Sequence, residues 1–354
     1  MWLSQQTMVP GIVGAEGGYL GLGEAQRLKD LHSLNIFYTP AEERFDRITR
    51  LAARVLHAPM AAISFISGES QWIKSSFGLA AGEISREVSL CGHAIEGHQA
   101  LVVTDTAQDE RFKANPLVAG RQCIRFYAGH PIHTGAGSAV GVLSVMDTLP
   151  GQPSYAGLET LRDLAVIVER ELTHSSSTSF QDTLIKTLQP QERRSSLDEL
   201  THMWKRNVVM QLAHLECAAA SNGSPLSLLL VDVDHLNVIN ENYGLQMGDV
   251  ALYEVAAQLR QSLRDSDIIG RYGMGTFLVL LRAGIVDSKL VAERIRESVA
   301  RHMIPGIDIQ TTVSIGVASA KTQAPTPALL ISAADKAMRL AKENGRDQIE
   351  SVVL

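Results

Sequence analysis

The residues of this chain whose types and spacing suggest chemistry lie in its second half. An apolar run over residues 228–231 predicts a buried strand that ends at two carboxylates in the stretch 232–234. Further along, residues 271–277 read as a turn with Gly275 and Thr276 at its centre. Neither of these two residues supplies an anionic oxygen, so neither can ligate Mg²⁺ as a carboxylate would.

Two further sets of charged residues lie close together in the sequence. Lys342 and Arg346 are four residues apart, which predicts that they face the same way on a helix end. Arg264 and Asp267 form an Arg-x-x-Asp tetrapeptide shortly before the turn. Taken alone, the first pair also fits a solvated helix end and the second a charged surface turn, so spacing by itself decides neither function.

The order of these motifs resembles that of the GGDEF family, whose fold is that of the diguanylate cyclases. The family's signature turn is of the type Arg-Tyr-Gly-Gly-Asp/Glu-Glu-Phe, and this chain has Arg-Tyr-Gly-Met-Gly-Thr-Phe in its place. Leu236 and Asn237 also depart from the family's Phe and Lys. The blocks that carry the rest of the resemblance are residues 232–249, 312–318 and 334–347.

The resemblance implies a cyclase scaffold without its catalytic acids. In an active family member, the first aspartate after the strand, a neighbouring carbonyl and the third residue of the turn hold the Mg²⁺ that activates GTP. Asp232 matches the first ligand, but Gly275 and Thr276 stand at the acid positions, and we expect Met274 to crowd the base or ribose. We therefore expect no catalytic residue, no cyclase activity and at most weak Mg²⁺ binding.

The residues that recognise the nucleotide in the family are retained. Asn240 and Asp249 match the positions that read the guanine edge, where a carboxylate accepts from N1–H and N2–H. Lys342 and Arg346 match the family's phosphate contacts. The resemblance therefore implies residual affinity for GTP.

A second ligand site is implied by Arg264, Asp267 and Arg294. They match the family's inhibitory site for cyclic di-GMP, in which an arginine forks onto a guanine edge or a phosphate. This site never carried catalysis, so its function would be binding. Family examples stack a ligand dimer across two domains, so we expect cyclic di-GMP as the leading ligand and a homodimer as the assembly.

The first half of the chain resembles a GAF domain, a small α/β module that senses small molecules or other signals. The resemblance rests on blocks at residues 39–46, 71–75, 90–95, 109–112, 124–129 and 141–147. The ligand of this domain stays open, because a cysteine and four histidines in this half have no zinc-like spacing; they are Cys91, His93, His98, His130 and His133.

Composition and charge exclude several classes of protein. With 354 residues, 45% of them hydrophobic and 20% charged, the chain has the composition of a soluble globular protein of about two domains. A net charge of −6 does not favour nucleic-acid binding, and no apolar run reaches the ~20 residues of a membrane span. The N-terminus lacks the pattern of a secretory signal, and three cysteines without paired spacing favour the cytoplasm.

These patterns predict a two-domain protein of mixed α/β (α+β) class. We assign residues 1–23 to a disordered leading segment, 24–173 to a GAF sensor domain, 174–196 to a linker, and 197–354 to a degenerate GGDEF domain with a central mixed sheet flanked by helices. Since the chain ends soon after Arg346, we expect no further output domain, so the signal would pass to a protein partner not yet identified.

The sequence favours a cytoplasmic signalling protein that responds to cyclic di-GMP, or to GTP, without synthesising the former. Two alternatives stay open. One is a weakly active diguanylate cyclase in which water or Asp234 replaces the lost metal ligands. The other is a module that binds no nucleotide and serves only dimerisation or partner contact.

Overall fold

A computed structural model of the chain describes residues 19–80, 82–97, 99–120, 122–173, 180–220, 224–304, 306, 310–320 and 325–354. Residues 1–18 of the expected disordered segment lie outside these. Residues 19–23 are helical instead, because they open helix α1 (Tyr19–Ser33), which Arg27 ties to the carbonyl of Ile66 at 2.7 Å. Within the described residues, no helix is long and apolar enough to cross a bilayer.

The first domain is built on a six-stranded antiparallel sheet with the strand order β3-β2-β1-β6-β5-β4. Alternate side chains of its central strand pack to opposite faces, Ile63 and Phe65 to one and Ala62 and Ile66 to the other. The strands are β1 Met60–Ile66, β2 Ser70–Phe77, β3 Glu83–Ser85, β4 Leu101–Val103, β5 Phe126–His133 and β6 Ala139–Asp147. The remaining helices are α2 Glu43–Val55, α3 Leu90–Ala94, α4 Pro116–Ala119 and α5 Tyr155–Thr173.

The second domain has a five-stranded mixed sheet with the order β11-β10-β7-β9-β8, in which only β10 and β11 are parallel. Alternate residues of β7 divide between the two covering layers of helices, so both faces are buried. The predicted central mixed sheet flanked by helices is confirmed. Its strands are β7 Leu226–Val233, β8 Ile268–Arg271, β9 Thr276–Leu281, β10 Val313–Ala320 and β11 Ile349–Val353. Its helices are α8 Arg206–Ala220, α9 Leu236–Tyr243, α10 Leu245–Gln261, α11 Ile285–Arg301 and α12 Pro327–Glu343.

The expected linker is largely structured. Its described part, residues 180–196, forms helices α6 (Phe180–Thr187) and α7 (Pro190–Ser196). Phe180, Leu184 and Ile185 pack against the core of the second domain, which explains why these residues fold instead of serving as a spacer. The first residues of the expected linker, 174–179, lie outside the described part of the chain.

Direct polar contacts join the two domains. Arg260 on α10 donates from Nε to Asp46 Oδ2 on α2 at 3.2 Å and from Nη1 to the carbonyl of Thr201 at 3.2 Å. The backbone N–H of Ala41 donates to the carbonyl of His202 at 3.1 Å. The loop before α2 is therefore held against the start of the second domain.

Gly316 of β10 provides a test of how closely α12 packs on the second sheet. An added Cβ at this residue would lie 2.0 Å from the carbonyl oxygen of Ala334 and 2.4 Å from the backbone nitrogen of Met338. Since helix backbone cannot yield as a flexible side chain does, we expect Gly316→Ala to lower the free energy of unfolding by about 1–3 kcal/mol. Urea denaturation followed by circular dichroism measures the change.

The matched control is Gly135→Ala, because nothing lies within 4 Å of a Cβ added there. This variant should stay within about 0.5 kcal/mol of the wild type. If both variants unfold at the wild-type urea concentration, the close approach of α12 to β10 is refuted.

Candidate functional site

The carboxylate of Asp232 lies at the end of β7, opposite Thr276 in the strand register. Its Oδ1 accepts a hydrogen bond from Lys342 Nζ at 2.5 Å, and its Oδ2 accepts one from Thr276 Oγ1 at 2.6 Å. The structure thus brings together the expected metal ligand, one of the two acid positions and one of the expected phosphate contacts. Both carboxylate oxygens are engaged by side chains of the chain itself.

The second carboxylate of this strand end, Asp234, is buried and also satisfied. Its Oδ1 accepts from Ser314 Oγ at 2.7 Å, and its Oδ2 accepts from Thr312 Oγ1 at 2.8 Å and from the backbone N–H of Asp347 at 3.1 Å. Turning Asp234 toward a cation beside Asp232 would break three hydrogen bonds in a buried environment, at a cost of about 1–3 kcal/mol for each group left unpaired.

The turn between β8 and β9 carries Met274 and Gly275. Met274 is 88% exposed and its φ is not positive, so no backbone strain accompanies the loss of glycine there. Arg271 holds the turn by donating to the carbonyl of Met274 at 2.9 Å and to Asp198 Oδ1 at 3.1 Å. A Cβ at Gly275 would meet Leu236 Cδ2 at 2.9 Å, so an acidic residue there requires Leu236 to move.

Asn240 and Asp249, the expected guanine-reading residues, lie on consecutive helices. Asn240 is on α9, and its Oδ1 occupies the space over Gly248, where an added Cβ would be only 1.7 Å away. Asp249, on the first turns of α10, is exposed. The glycine therefore allows the amide of Asn240 to lie against the beginning of α10, one residue from Asp249.

Arg346 does not share a helical face with Lys342, so that part of the sequence-based prediction is wrong. Helix α12 ends at Glu343, and Arg346 lies beyond it with a left-handed φ of 65°. Its backbone N–H donates to the carbonyl of Ala341 at 3.0 Å, which turns the chain toward β11. The two residues are four positions apart, but α12 ends between them, so they do not share a helical face.

Arg264, Asp267 and Arg294 meet at the connection between α10 and β8. Asp267 Oδ2 accepts from the backbone N–H of Arg264 at 2.8 Å, and the backbone N–H of Asp267 donates to the carbonyl of Arg264 at 2.9 Å. Arg294, on α11, donates from Nε and Nη2 to the carbonyl of Ser262 at 3.0 and 2.6 Å. Among the described residues, the guanidinium of Arg264 has no hydrogen-bond or ion-pair partner.

We call residues 264–267 of this connection the ligand turn, because the sequence predicts a ligand there. The pKa values of its two aspartates reflect their position between the domains. Burial raises the pKa of Asp267, although the hydrogen bond from the Arg264 N–H and the charges of Arg264 and Arg294 oppose the shift. Burial also raises the pKa of Asp265, and the negative charge of Glu42 adds to this effect. A carboxyl of the second domain is thus influenced by a carboxylate of the first.

A cavity of about 200 Å³ lies between the ligand turn and the first domain. Its walls are the ligand turn, the loop and first turn of α2 at residues 39–44, and helix α6, which contributes Gln181. Sequence reasoning missed these neighbours because no motif links positions so far apart in the chain.

The cysteine and histidines of the first domain that were considered as metal ligands do not form a metal site among the described residues. Cys91 is buried, where its sulfur accepts from the hydroxyl of Tyr127 at 3.3 Å, and burial raises the pKa of its thiol. His98 lies outside the described residues, and across the described ones no group of three or more His, Cys, Asp or Glu side chains could hold a metal ion.

Comparison with known families agrees with this architecture. Residues 40–172 match the family described as GAF domain, and residues 195–348 match the family described as diguanylate cyclase, GGDEF domain. The chain is therefore a GAF domain followed by a GGDEF domain.

Similar proteins include one named as a cyclic di-GMP phosphodiesterase and one named as a diguanylate cyclase. Cyclic di-GMP phosphodiesterase PA2567 of Pseudomonas aeruginosa is 26% identical over 296 residues, which are 83% of this chain and 48% of that protein. Diguanylate cyclase A of Treponema denticola is 32% identical over 162 residues, which are 44% of each protein. The chain spans less than half the length of these relatives.

Two solved structures of proteins named for cyclic di-GMP or diguanylate cyclase activity also match part of the chain. The GGDEF domain of DgcB from Caulobacter crescentus in complex with c-di-GMP is 24% identical with a TM-score of 0.42, over 44% of this chain and 95% of that one. Diguanylate cyclase SiaD in complex with its activator SiaC from Pseudomonas aeruginosa is 27% identical with a TM-score of 0.44, over 56% of this chain and 74% of that one.

The contact between Lys342 and Asp232 predicts that an ammonium group competes with metal ions for this carboxylate. Lys342→Met removes the charge while keeping the side-chain length. We expect Mn²⁺ to bind the variant at least about tenfold more tightly than the wild type, because a charge-assisted hydrogen bond no longer holds Asp232. Electron paramagnetic resonance of free Mn²⁺ measures the binding.

Lys336→Met is the matched control, since Lys336 is an exposed lysine on the same helix. It should bind Mn²⁺ as the wild type does, and adding Asp232→Asn to the Lys342→Met variant should remove the gain. A wild type that binds Mn²⁺ as well as the Lys342→Met variant would refute the competition.

Proposed function

We propose that this GAF–GGDEF protein is a signalling receptor that binds cyclic di-GMP at Arg264, Asp267 and Arg294 and does not synthesise it. One observation carries the proposal. Both oxygens of Asp232 are engaged within the chain, whereas the guanidinium of Arg264 has no partner among the described residues. The carboxylate at the end of β7 is thus engaged by side chains of the chain, whereas the Arg264 guanidinium on the ligand turn can bind a ligand.

The residues present at the strand end do not fit a catalytic Mg²⁺ ion. Mg²⁺ requires several oxygen ligands in near-octahedral arrangement. Asp232 is paired with Lys342, Asp234 is held by three hydrogen bonds, and Gly275 has no side chain. The rival reading in which Asp234 replaces the lost ligand therefore has little geometric support.

The ligand turn offers groups that suit a guanine nucleotide with two phosphates. The Arg264 guanidinium is a planar fork that matches a guanine edge or a phosphate, and it stays charged at any physiological pH. Asp267 shapes the turn through the Arg264 N–H and keeps its second oxygen as an acceptor. Because two similar proteins are named as a cyclic di-GMP phosphodiesterase and as a diguanylate cyclase, we propose cyclic di-GMP, and not another nucleotide, as the ligand.

GTP binding is the second candidate, and one observation supports it: the side-chain oxygen of Asn240 lies against Gly248, the residue before Asp249. A triphosphate would have to draw Lys342 away from Asp232, so we expect the affinity to be low and nearly independent of Mg²⁺. The interaction-module alternative predicts no nucleotide binding at either place.

Absence of cyclase activity is the first consequence of the proposal. We expect no conversion of GTP to cyclic di-GMP with Mg²⁺ or Mn²⁺, even at high protein concentration, because the metal donors are missing or engaged. Chromatography of the products decides the matter. Product formation that disappears in Asp232→Asn would establish a weak cyclase instead.

Binding at the ligand turn is the second consequence. We expect wild-type protein to bind cyclic di-GMP with micromolar affinity, about −8 kcal/mol, and Arg264→Ala to weaken binding roughly ten- to a hundredfold. Asp267→Asn, which keeps an acceptor for the Arg264 N–H, should weaken it less than Asp267→Ala. Isothermal titration calorimetry measures all four proteins.

Arg339→Ala is the control for removal of an exposed arginine, since Arg339 lies on α12 in an ion pair with Asp335 at 2.8 Å. It should bind as the wild type does. No heat with excess ligand, or equal affinity in the Arg264→Ala variant, would favour the interaction-module alternative.

A further inference from the structure

Gln181, on the helix that follows the GAF domain, bridges the ligand turn and the core of the second domain. Its Nε2 donates to the carbonyl of Asp267 at 3.2 Å, and its Oε1 accepts from the indole Nε1 of Trp204 at 2.9 Å. We propose that Gln181 is a positioning residue that holds the ligand turn and couples its occupancy to helix α6. The ligand named here, cyclic di-GMP, rests on the proposed function.

Trp204 is a rigid support for this bridge. Its side chain is fully buried, and its carbonyl accepts from the backbone N–H of Arg271 at 2.8 Å, next to β8. The indole N–H is its one polar side-chain group, and Gln181 is the acceptor that satisfies it. The amide of Gln181 is therefore oriented from one side by a residue that cannot readily move.

The amide nitrogen of Gln181 binds the carbonyl of Asp267, the residue that shapes the ligand turn. Asp267 closes the turn through its backbone N–H and its carboxylate, and its carbonyl lies directly before the first residue of β8. Gln181 is only 9% exposed and Asp267 is half-buried, so loss of the donor would leave a partly buried carbonyl without that partner. Such a loss should loosen the turn that presents Arg264.

Helix α6 is also in contact with the GAF side of the cavity. Gln181 and Ile185 line the cavity together with the ligand turn and with residues 39–44 of the first domain. On α7, the buried Arg193 donates to the carbonyls of Asn35 at 2.9 Å and Ile185 at 3.3 Å, which ties α6 to the loop after α1. A shift of the first domain can thus reach Asp267 through one helix and one amide, and binding at the turn must act back with equal coupling free energy.

The test compares Gln181→Met, a neutral side chain of similar length, with Gln181→Glu, which keeps the acceptor for Trp204 but cannot donate to Asp267. We expect both variants to bind cyclic di-GMP about three- to tenfold more weakly than the wild type by calorimetry. The indole N–H resonance of Trp204 in ¹H–¹⁵N spectra should shift on ligand saturation in the wild type and lose that shift in Gln181→Met. Gln246→Met, an exposed glutamine on α10, is the control and should behave as the wild type.

A second readout needs no ligand. In hydrogen exchange, Gln181→Met should speed exchange of the Arg264 and Asp267 amides about three- to tenfold while the amides of α11 keep their wild-type rates. Uniformly faster exchange across the domain would indicate a general loss of stability and overturn the positioning role, as would unchanged exchange at the turn.

The two proposals fail in different ways. If the wild type binds no cyclic di-GMP, the proposed function fails, and the exchange rates alone decide whether Gln181 positions the turn. If the wild type binds but the Trp204 resonance does not move, or both Gln181 variants bind with wild-type affinity, the coupling is refuted and the proposed function stands. If Gln181→Met does not fold, Gln181→Glu, which retains the hydrogen bond from Trp204, supplies the same comparisons.

Discussion

The two oxygens of one carboxylate connect three elements of the second domain. Asp232 is the penultimate residue of the central strand β7, and both of its oxygens accept hydrogen bonds from the chain, one from the ammonium group of Lys342 and one from the hydroxyl of Thr276. An internal cation and a hydroxyl therefore stabilise a negative charge that would otherwise attract a metal ion. The same two contacts join the end of β7 to Thr276 at the start of β9 and to α12, so side chains of the chain itself cross-link this edge of the sheet.

The ligand turn lies where the two domains meet. Its neighbours in the first domain are held in place by a buried ammonium group, since Lys74 Nζ donates to Thr39 Oγ1 at 2.6 Å, to the carbonyl of Pro40 at 2.7 Å and to Glu42 Oε1 at 2.5 Å. Burial lowers the pKa of Lys74, and the charge of Glu42 opposes that shift. This fixed wall of the first domain thus faces the turn shaped by Asp267, so residues of both domains line the cavity at which we propose the ligand binds.

The apolar pattern predicted the strand that carries Asp232, and the resemblance to known families predicted the mixed class of both domains and the grouping of Arg264, Asp267 and Arg294. Each of these depends on residues close in sequence or on motifs in a known order. The patterns failed where the end of a helix or a distant partner decides the geometry, as for Arg346, which lies beyond α12, and for the folded part of the linker. The roles of Lys342 and Gln181 depend on partners 110 and 86 residues away, which no spacing rule connects.

The most direct test is a crystal structure of the chain grown with a non-hydrolysable GTP analogue, Mg²⁺ and cyclic di-GMP together. We expect cyclic di-GMP at Arg264 and Asp267, next to the wall of the first domain, with Lys342 still paired with Asp232 and no metal ion between them. A Mg²⁺ ion that bridges Asp232 and the phosphates of the analogue, with Lys342 displaced and the ligand turn empty, would refute this expectation.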